Sequence, residues 1–152
     1  MPGKLKSFHA LTPCQKRLFL QAFRLLGVMR LAILTRSFKS LVARLEMHRE
    51  VHEQAPLAAD ALARAHQIGW AVQKAAQYTP WESTCLAQVL AAQRMLYQRG
   101  IAGALYLGAA TATKGDRQQP LSAHAWLKCN QDFITGESGH EEFTVVSTFS
   151  WL

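Results

Sequence analysis

Cys85 and His124 have the side chains needed to cleave an amide bond by nucleophilic attack. A cysteine thiolate attacks carbonyl carbons, and a histidine within reach of the sulfur can take the thiol proton and later donate it to the leaving group. Cys14 and Cys129 are the other cysteines, and neither has an evident activating partner. Because most free cysteines simply pack in protein interiors, Cys85 needs a local feature that favours its thiolate.

The segment before Cys85 predicts such a feature, because it contains the start of a helix. Thr79 and Glu82 have the spacing of a capping box, with Pro80 at the favoured first helical position, and Ser83 is an alternative cap. With either cap, Cys85 falls in the first or second turn. There the partial positive charge of the helix end favours a thiolate.

The sequence changes from helical periodicity to short strands after Gly100, which is expected to end the helix. The predicted strands cover residues 104–108, 123–129, 132–137 and 143–149, with a polar loop over 111–120. His124 then lies at the start of the second strand. Helices followed by antiparallel strands predict an α+β fold.

A third group should orient the imidazole, and Asp132 and Glu137 are the candidates. If residues 130–131 form a two-residue hairpin turn, Cys129 faces Asp132. A regular register then puts His124 opposite Glu137, with Cβ atoms about 5 Å apart. Asp132 would lie roughly 17 Å away at the far end of the hairpin. Glu137 is therefore the preferred acid and Asp132 the alternative, although a one-residue slip in register would overturn this choice.

The first fifty residues are strongly basic, with ten lysines and arginines against two glutamates. We predict a basic helical region over residues 1–55, with an amphipathic helix over 15–34, and a catalytic domain over 56–152 that opens with a helix over 57–77. The basic region could contact nucleic acid, a membrane surface or an acidic protein, or could be a solvated helix face. Its few aromatic residues make nucleic acid the less favoured partner.

Composition sets further limits. The chain has 152 residues, 49% of them hydrophobic, which is enough for a core. Three widely spaced cysteines predict neither a disulfide framework nor a structural zinc site. Arg24 and Arg30 interrupt the longest apolar stretch, residues 18–34, so we expect no membrane span, no signal peptide and a cytoplasmic location.

Four segments together resemble one protein family. They are Pro80-Trp81-Glu82-Ser83-Thr84-Cys85-Leu86, Arg94-Met95-Leu96-Tyr97-Gln98-Arg99-Gly100-Ile101, Leu105-Tyr106-Leu107-Gly108 and Ala123-His124-Ala125-Trp126-Leu127. They resemble the transglutaminase-like leader peptidase of lasso peptide biosynthesis in its stand-alone form, over roughly Lys16 to the C-terminus. The combination of Pro-Trp-x-x-x-Cys-Leu with His-Ala-Trp is the specific part of the likeness.

The resemblance implies a papain-like or transglutaminase-like core, in which the cysteine-bearing helix packs on a small antiparallel sheet behind N-terminal helices. It implies a Cys-His-acid triad with Cys85 as nucleophile and His124 as base. The family's acid often lies about twelve residues after the histidine, where this chain has Gly136, with Glu137 next to it.

The implied activity is removal of the leader from a ribosomally made precursor before macrolactam closure, with no metal or other cofactor. The implied partners are the precursor peptide, a small leader-recognition protein and an ATP-dependent cyclase, whereas nucleic acid and membrane are not expected partners. Two alternatives remain: a non-catalytic scaffold with the same fold, and a true transglutaminase that joins glutamine to an amine.

Overall fold

The structure, a computed structural model, describes residues 10–48, 56–110, 122–137, 141 and 143–151. Within these residues the helices come first and the strands follow. The helices are α1 (Pro13–Thr35), α2 (Phe38–Arg44), α3 (Ala59–Ala76) and α4 (Cys85–Gln98). The strands are β1 (Gly103–Ala110), β2 (Ser122–Cys129), β3 (Asp132–Thr135) and β4 (Thr144–Trp151). The predicted α+β fold is confirmed, while the predicted loop over 111–120 lies outside the described residues.

The strands form an antiparallel sheet in the order β3-β2-β1-β4. β2 therefore has a neighbour on each side, and His124 pairs with Gly108 of β1. On the far edge of the sheet, Ser150 of β4 forms a two-hydrogen-bond bridge with His48. The part of β2 that carries His124 is held by its pairing with β1, because the pairing with β3 stops at Leu127.

The helix α4 is the central element of the fold. Eight of its fourteen residues are buried, because α1 and α3 cover it on one side and the sheet covers it on the other. Its buried Gln93 donates a hydrogen bond of 2.9 Å to the Leu45 carbonyl oxygen, which links it to the end of α2. The helix ends as predicted, where Gly100 adopts a positive φ of 68°. The cysteine at its first residue is therefore carried by a well-anchored helix.

The amphipathic helix α1 joins this core by one face. Thr12 and Gln15 form a complete capping box at its start. Its buried residues recur at helical spacing and are Leu18, Ala22, Leu25, Leu26 and Met29. By length and composition alone α1 could also cross a membrane. The absence of a membrane span, which was predicted from Arg24 and Arg30, therefore stays a prediction.

The core is continuous across the boundary predicted between residues 55 and 56. Leu26 and Met47 belong to the same buried cluster as Leu90 and Leu105. The division into a basic region and a catalytic domain stays a prediction, since a shared core does not decide what each part does.

The β2–β3 hairpin departs from the predicted register. Cys129 pairs with Asp132 as predicted, and Lys128 pairs with Phe133. Leu127 then pairs with Thr135, so Ile134 is an extra residue that forms a β-bulge. The regular ladder that would have placed His124 opposite Glu137 is therefore wrong beyond Lys128, and β3 ends at Thr135.

The approach of α3 accounts for the bulge. A Cβ atom on Gly69 would lie 2.3 Å from the Ile134 carbonyl oxygen, so only glycine lets the helix come this close. Gln73, one turn further along α3, donates a hydrogen bond of 3.3 Å to the same oxygen. The carbonyl that the bulge removes from the ladder is thereby satisfied by a helix side chain.

Candidate active site

Cys85 is the first residue of α4. Thr84 caps the helix, with its Oγ1 accepting a hydrogen bond of 3.2 Å from the Ala87 N–H. The two caps predicted from the sequence, Thr79 and Ser83, are therefore wrong. Cys85 nonetheless lies in the first turn of its helix, as predicted, and there the helix dipole favours a thiolate.

Thr79 has a different role in the loop that leads to the cysteine. Its Oγ1 lies 2.7 Å from Ser83 Oγ, 3.2 Å from the Ala76 carbonyl oxygen and 3.1 Å from the Trp81 carbonyl oxygen. These contacts tie the end of α3 to the start of α4. The hydroxyls therefore fix the path of the loop, and so fix where Cys85 begins its helix.

The start of α4 also offers backbone donors beside the sulfur. The N–H groups of Cys85 and Leu86 stand at the first two helical positions, where no intrahelical acceptor exists. The next N–H, that of Ala87, is taken by the Thr84 cap. Donors in this position suit a negatively charged oxygen that develops next to the nucleophile.

An open cavity of about 510 Å³ contains the two predicted reactive residues together. Its lining residues come from α3, α4, β2 and the segment after β3, and they are Gln73, Cys85, Gln88, His124, Gly136 and Glu137. Cys85 is a half-buried free thiol, and His124 is also half-buried. Both side chains are thus shielded on one side and open to a substrate on the other.

The hydrogen bond of His124 defines which ring nitrogen can accept a proton. Its Nε2 lies 2.8 Å from the Gly136 carbonyl oxygen. A carbonyl oxygen only accepts, so Nε2 carries the hydrogen in this bond. In the neutral imidazole the lone pair is then on Nδ1, which is the atom available to act as a base.

Aromatic rings hold the plane of the imidazole. The ring centroids of Trp126 and Phe143 lie 5.7 Å and 5.2 Å from that of His124. Gly108, the partner of His124 in β1, leaves room for both, because a Cβ there would come within 2.8 Å of Trp126 and of Phe143. The histidine is therefore oriented by packing as well as by its hydrogen bond.

Gly136 must be a glycine for two reasons. Its φ of 79° is in the left-handed region, and a Cβ would lie 2.5 Å from the Ala125 carbonyl oxygen. This tight turn directly follows β3 and aims the Gly136 carbonyl at His124. The position that the resemblance marks for the acid thus supplies a backbone acceptor.

The two candidate acids lie in different places. Glu137 lines the cavity with Cys85 and His124, and its assignment as the third catalytic group stays a prediction. Asp132 lies at the turn end of β3, with its Oδ2 2.8 Å from Nε2 of His66 on α3. Asp132 is therefore engaged by another histidine, away from the cavity.

The other two thiols have surroundings unlike that of Cys85. Cys129 is buried, and burial together with the nearby Asp132 raises its pKa to about 12. Cys14 is exposed and borders a separate cavity with Arg17 and Arg64. Neither lines the cavity that contains His124.

Three polar residues near the site were not predicted from the sequence. Gln73 and Gln88 line the cavity, and His66 pairs with Asp132. Gln88 is one helical turn after Cys85, a spacing that could have indicated it. Gln73 and His66 lie on α3, and their roles depend on long-range packing that has no local signal. In the described part of the chain, no group of three or more His, Cys, Asp or Glu residues is arranged to hold a metal ion.

Comparison with known protein families identifies the superfamily of the chain. The sequence model of the transglutaminase-like superfamily matches residues 25–148, which is most of the chain, so the chain belongs to this superfamily. The superfamily includes cysteine proteases and transferases. No curated protein and no solved structure matches the chain significantly.

Proposed function

We propose that this chain is a cysteine peptidase that removes the leader from a ribosomally made lasso precursor peptide. The observation that carries the proposal is the shared cavity, in which Cys85 opens a helix and His124, with its Nε2 hydrogen bonded to the Gly136 carbonyl, carries its lone pair on Nδ1. A nucleophile at a helix start beside an oriented histidine is the arrangement that acyl transfer through a thioester requires.

The chemistry follows from these positions. His124 Nδ1 takes the thiol proton, and the Cys85 thiolate attacks the scissile carbonyl carbon. The N–H groups of Cys85 and Leu86 stabilise the resulting oxyanion. The imidazolium then protonates the leaving amine, and a thioester remains on Cys85. Water, deprotonated by His124, hydrolyses the thioester and restores the thiol.

In this proposal the orientation of His124 comes from two neighbours. The Gly136 carbonyl accepts the Nε2 hydrogen bond, and the Glu137 carboxylate contributes negative charge at the cavity wall. Both favour the imidazolium that forms during the attack. Glu137 thereby takes the part of the triad acid, with Gly136 fixing the geometry.

The substrate class is supported by the shape of the site and by the sequence likeness. The cavity is an open groove lined mainly by polar side chains, which suits an extended peptide better than an enclosed small molecule. The Pro-Trp-x-x-x-Cys-Leu and His-Ala-Trp segments resemble those of the leader peptidases of lasso peptide biosynthesis. We accordingly propose the precursor, a leader-recognition protein and an ATP-dependent cyclase as partners, in the cytoplasm.

A non-catalytic scaffold is the alternative. It would keep the fold of the superfamily without needing a reactive thiol. The placement of Cys85 and His124 in one cavity favours the peptidase, because a scaffold has no requirement for these two side chains together.

The test is cleavage of a precursor peptide in the presence of its recognition protein, followed by mass spectrometry. Cys85→Ala and His124→Ala should each abolish cleavage while circular dichroism shows an intact fold. The matched control is Cys14→Ser, which removes an exposed thiol outside the cavity and should cleave at the wild-type rate. Full activity in either cavity variant would overturn the proposal.

The same experiment separates peptidase from transglutaminase chemistry. Hydrolysis splits the peptide into leader and core, whose masses sum to that of the precursor plus water. Cross-linking joins glutamine to an amine with loss of ammonia and gives a heavier product. A heavier product in place of two fragments would exclude leader removal.

A further inference from the structure

A groove with an apolar floor runs between the C-terminal half of α1 and the helix α2. It encloses about 520 Å³ and shares no lining residue with the cavity of Cys85 and His124. Val28, Leu31 and Ala32 of α1 form one wall, and Leu41 and Leu45 close the other. This surface is thus separate from the candidate active site.

The α1 wall of the groove exposes apolar side chains that a folded chain normally covers. Val28 is 51% exposed and Leu31 is 63% exposed, and Leu34 beside them is 65% exposed. Three large aliphatic residues on one helical face form a contiguous patch, since they are spaced three residues apart. Exposed patches of this kind mark interaction surfaces.

Three arginines, each from a different part of the fold, lie around the apolar residues of the groove. Arg36 follows α1, Arg44 ends α2 and Arg94 comes from α4, and all three line the groove. Among the described residues, no carboxylate lies within ion-pair distance of any of them. We call this surface, defined by Val28, Leu31, Arg36, Arg44 and Arg94, the arginine-rimmed groove.

We propose that the arginine-rimmed groove binds an acidic amphipathic segment of a partner protein, with apolar side chains on the floor and carboxylates against the rim. Guanidinium groups bind carboxylates through paired hydrogen bonds, and a helix with apolar residues three and four apart fits a groove of this type. The proposal concerns binding alone and does not depend on peptidase activity.

Charge and shape disfavour the other possible occupants. A second copy of this chain carries the same formal charge of +7, so its basic surface would be repelled from a rim of arginines. An anionic membrane matches the charge of the rim, but Met29, Leu41 and Leu45 lie buried at the bottom of the groove, where a flat bilayer surface cannot contact them. A partner segment with its own ridge of side chains satisfies both the charge and the shape.

The test starts from an unbiased peptide library displayed on phage and selected against the full chain. Selected peptides should combine acidic with apolar residues at helical spacing. Their affinities are then measured by fluorescence anisotropy with Leu31→Asp and with the double variant Arg36→Glu/Arg44→Glu. Each should raise Kd by about ten-fold or more, as expected for lost apolar burial or for two reversed charges.

Two substitutions on the same helix serve as matched controls. Leu20 is 58% exposed and Arg24 is exposed, and neither lines the groove. Leu20→Asp makes the same change as Leu31→Asp, and Arg24→Glu reverses one of the two charges that the double variant reverses, but both lie elsewhere on α1, so each should change Kd by less than about two-fold. All the substituted side chains point to solvent, so the fold should survive in each variant.

Three results would overturn the proposal. The first is a selection that yields no binder or only binders without acidic residues. The second is equal sensitivity to the groove variants and their controls. The third is loss of sedimentation with phosphatidylcholine–phosphatidylserine vesicles in the groove variants while peptide binding is unchanged, which would assign the groove to a membrane instead.

Discussion

Two helices in this chain begin in nearly the same way, but the cysteines in their first turns have different surroundings. α1 is capped by Thr12 and carries Cys14 in its first turn, while α4 is capped by Thr84 and carries Cys85. Both thiols therefore receive the partial positive charge of a helix start. Only Cys85 shares a cavity with a histidine, His124.

The surroundings of Cys14 show what the helix start provides by itself. Cys14 is exposed and borders a cavity with Arg17, Arg64 and Arg99. These arginines carry positive charge, but an arginine neither accepts the thiol proton nor returns it to a leaving group. A helix start thus prepares a thiolate, whereas catalysis also needs a group that changes protonation state.

The largest expected difference between the two sites is the rate of alkylation. At pH 6 we expect iodoacetamide to modify Cys85 on the order of 100-fold faster than Cys14, because His124 in the same cavity can accept the thiol proton of Cys85, whereas none of the described residues that line the cavity beside Cys14 is such a base. His124→Ala should remove most of this difference. Peptide mapping by mass spectrometry after timed quenching measures both rates in one sample, since each thiol lies in a different fragment.

Cys129 provides the internal control for that experiment. It is buried and its pKa is raised to about 12, so it should stay unmodified as long as the protein is folded. Labelling of Cys129 would show that a variant has unfolded. Equal rates for Cys14 and Cys85 in the wild-type protein would contradict the active-site assignment and favour the scaffold.

A smaller effect is expected from Gly136→Ala, which acts on the orientation of His124. The new methyl group would meet the Ala125 carbonyl oxygen in a residue whose φ is 79°. We expect the free energy of unfolding to fall by about 3 kcal/mol and the alkylation rate of Cys85 to move toward that of Cys14. Chemical denaturation measures the first quantity, and the timed labelling measures the second.

Gly100→Ala is the matched control for strain alone. Gly100 also has a positive φ, of 68°, but a Cβ there meets nothing within 4 Å. Gly100→Ala should lower the free energy of unfolding by about 1 kcal/mol and leave the reactivity of Cys85 unchanged. If both variants affect Cys85 equally, the Gly136 carbonyl does not orient His124.

The smallest effect is expected at the two caps. Thr84→Ala should lower the free energy of unfolding by about 1 kcal/mol, because it frees the Ala87 N–H at the start of a central helix. Thr12→Ala should lower the free energy of unfolding by a smaller amount, because Thr12 is exposed and water can replace its hydrogen bond. A larger loss from Thr12→Ala would show that α1 contributes more to stability than α4 does.

The sequence predicted those features that depend on local patterns. The spans of α1 and α3, the end of α4, the strand order along the chain and the position of Cys85 in a first turn follow from periodicity and from Gly100, whereas α2 was not predicted as a separate helix. The cap itself was mistaken because three hydroxyl residues stand within six positions of one another. Local spacing could not show that Thr79 ties the loop together while Thr84 caps the helix.

The features missed from the sequence depend on contacts between distant segments. The bulge at Ile134 follows from the close approach of α3 at Gly69, more than sixty residues earlier. The acceptor for His124 proved to be a backbone carbonyl, which no search for acidic side chains would have found. Glu137 was placed by a register count that the bulge invalidates, although its side chain does line the cavity.

The bulge limits the insertions and deletions that the β2–β3 hairpin can tolerate. With Ile134 as an extra residue, Gly136 arrives at the turn where its carbonyl reaches His124. If the bulge is kept, removing one residue from β3 would bring Glu137 to the place of Gly136, with a side chain that cannot fit. Homologous chains that change the length of this hairpin should therefore do so in the turn at Asn130, leaving the count from Ile134 to Gly136 unaltered.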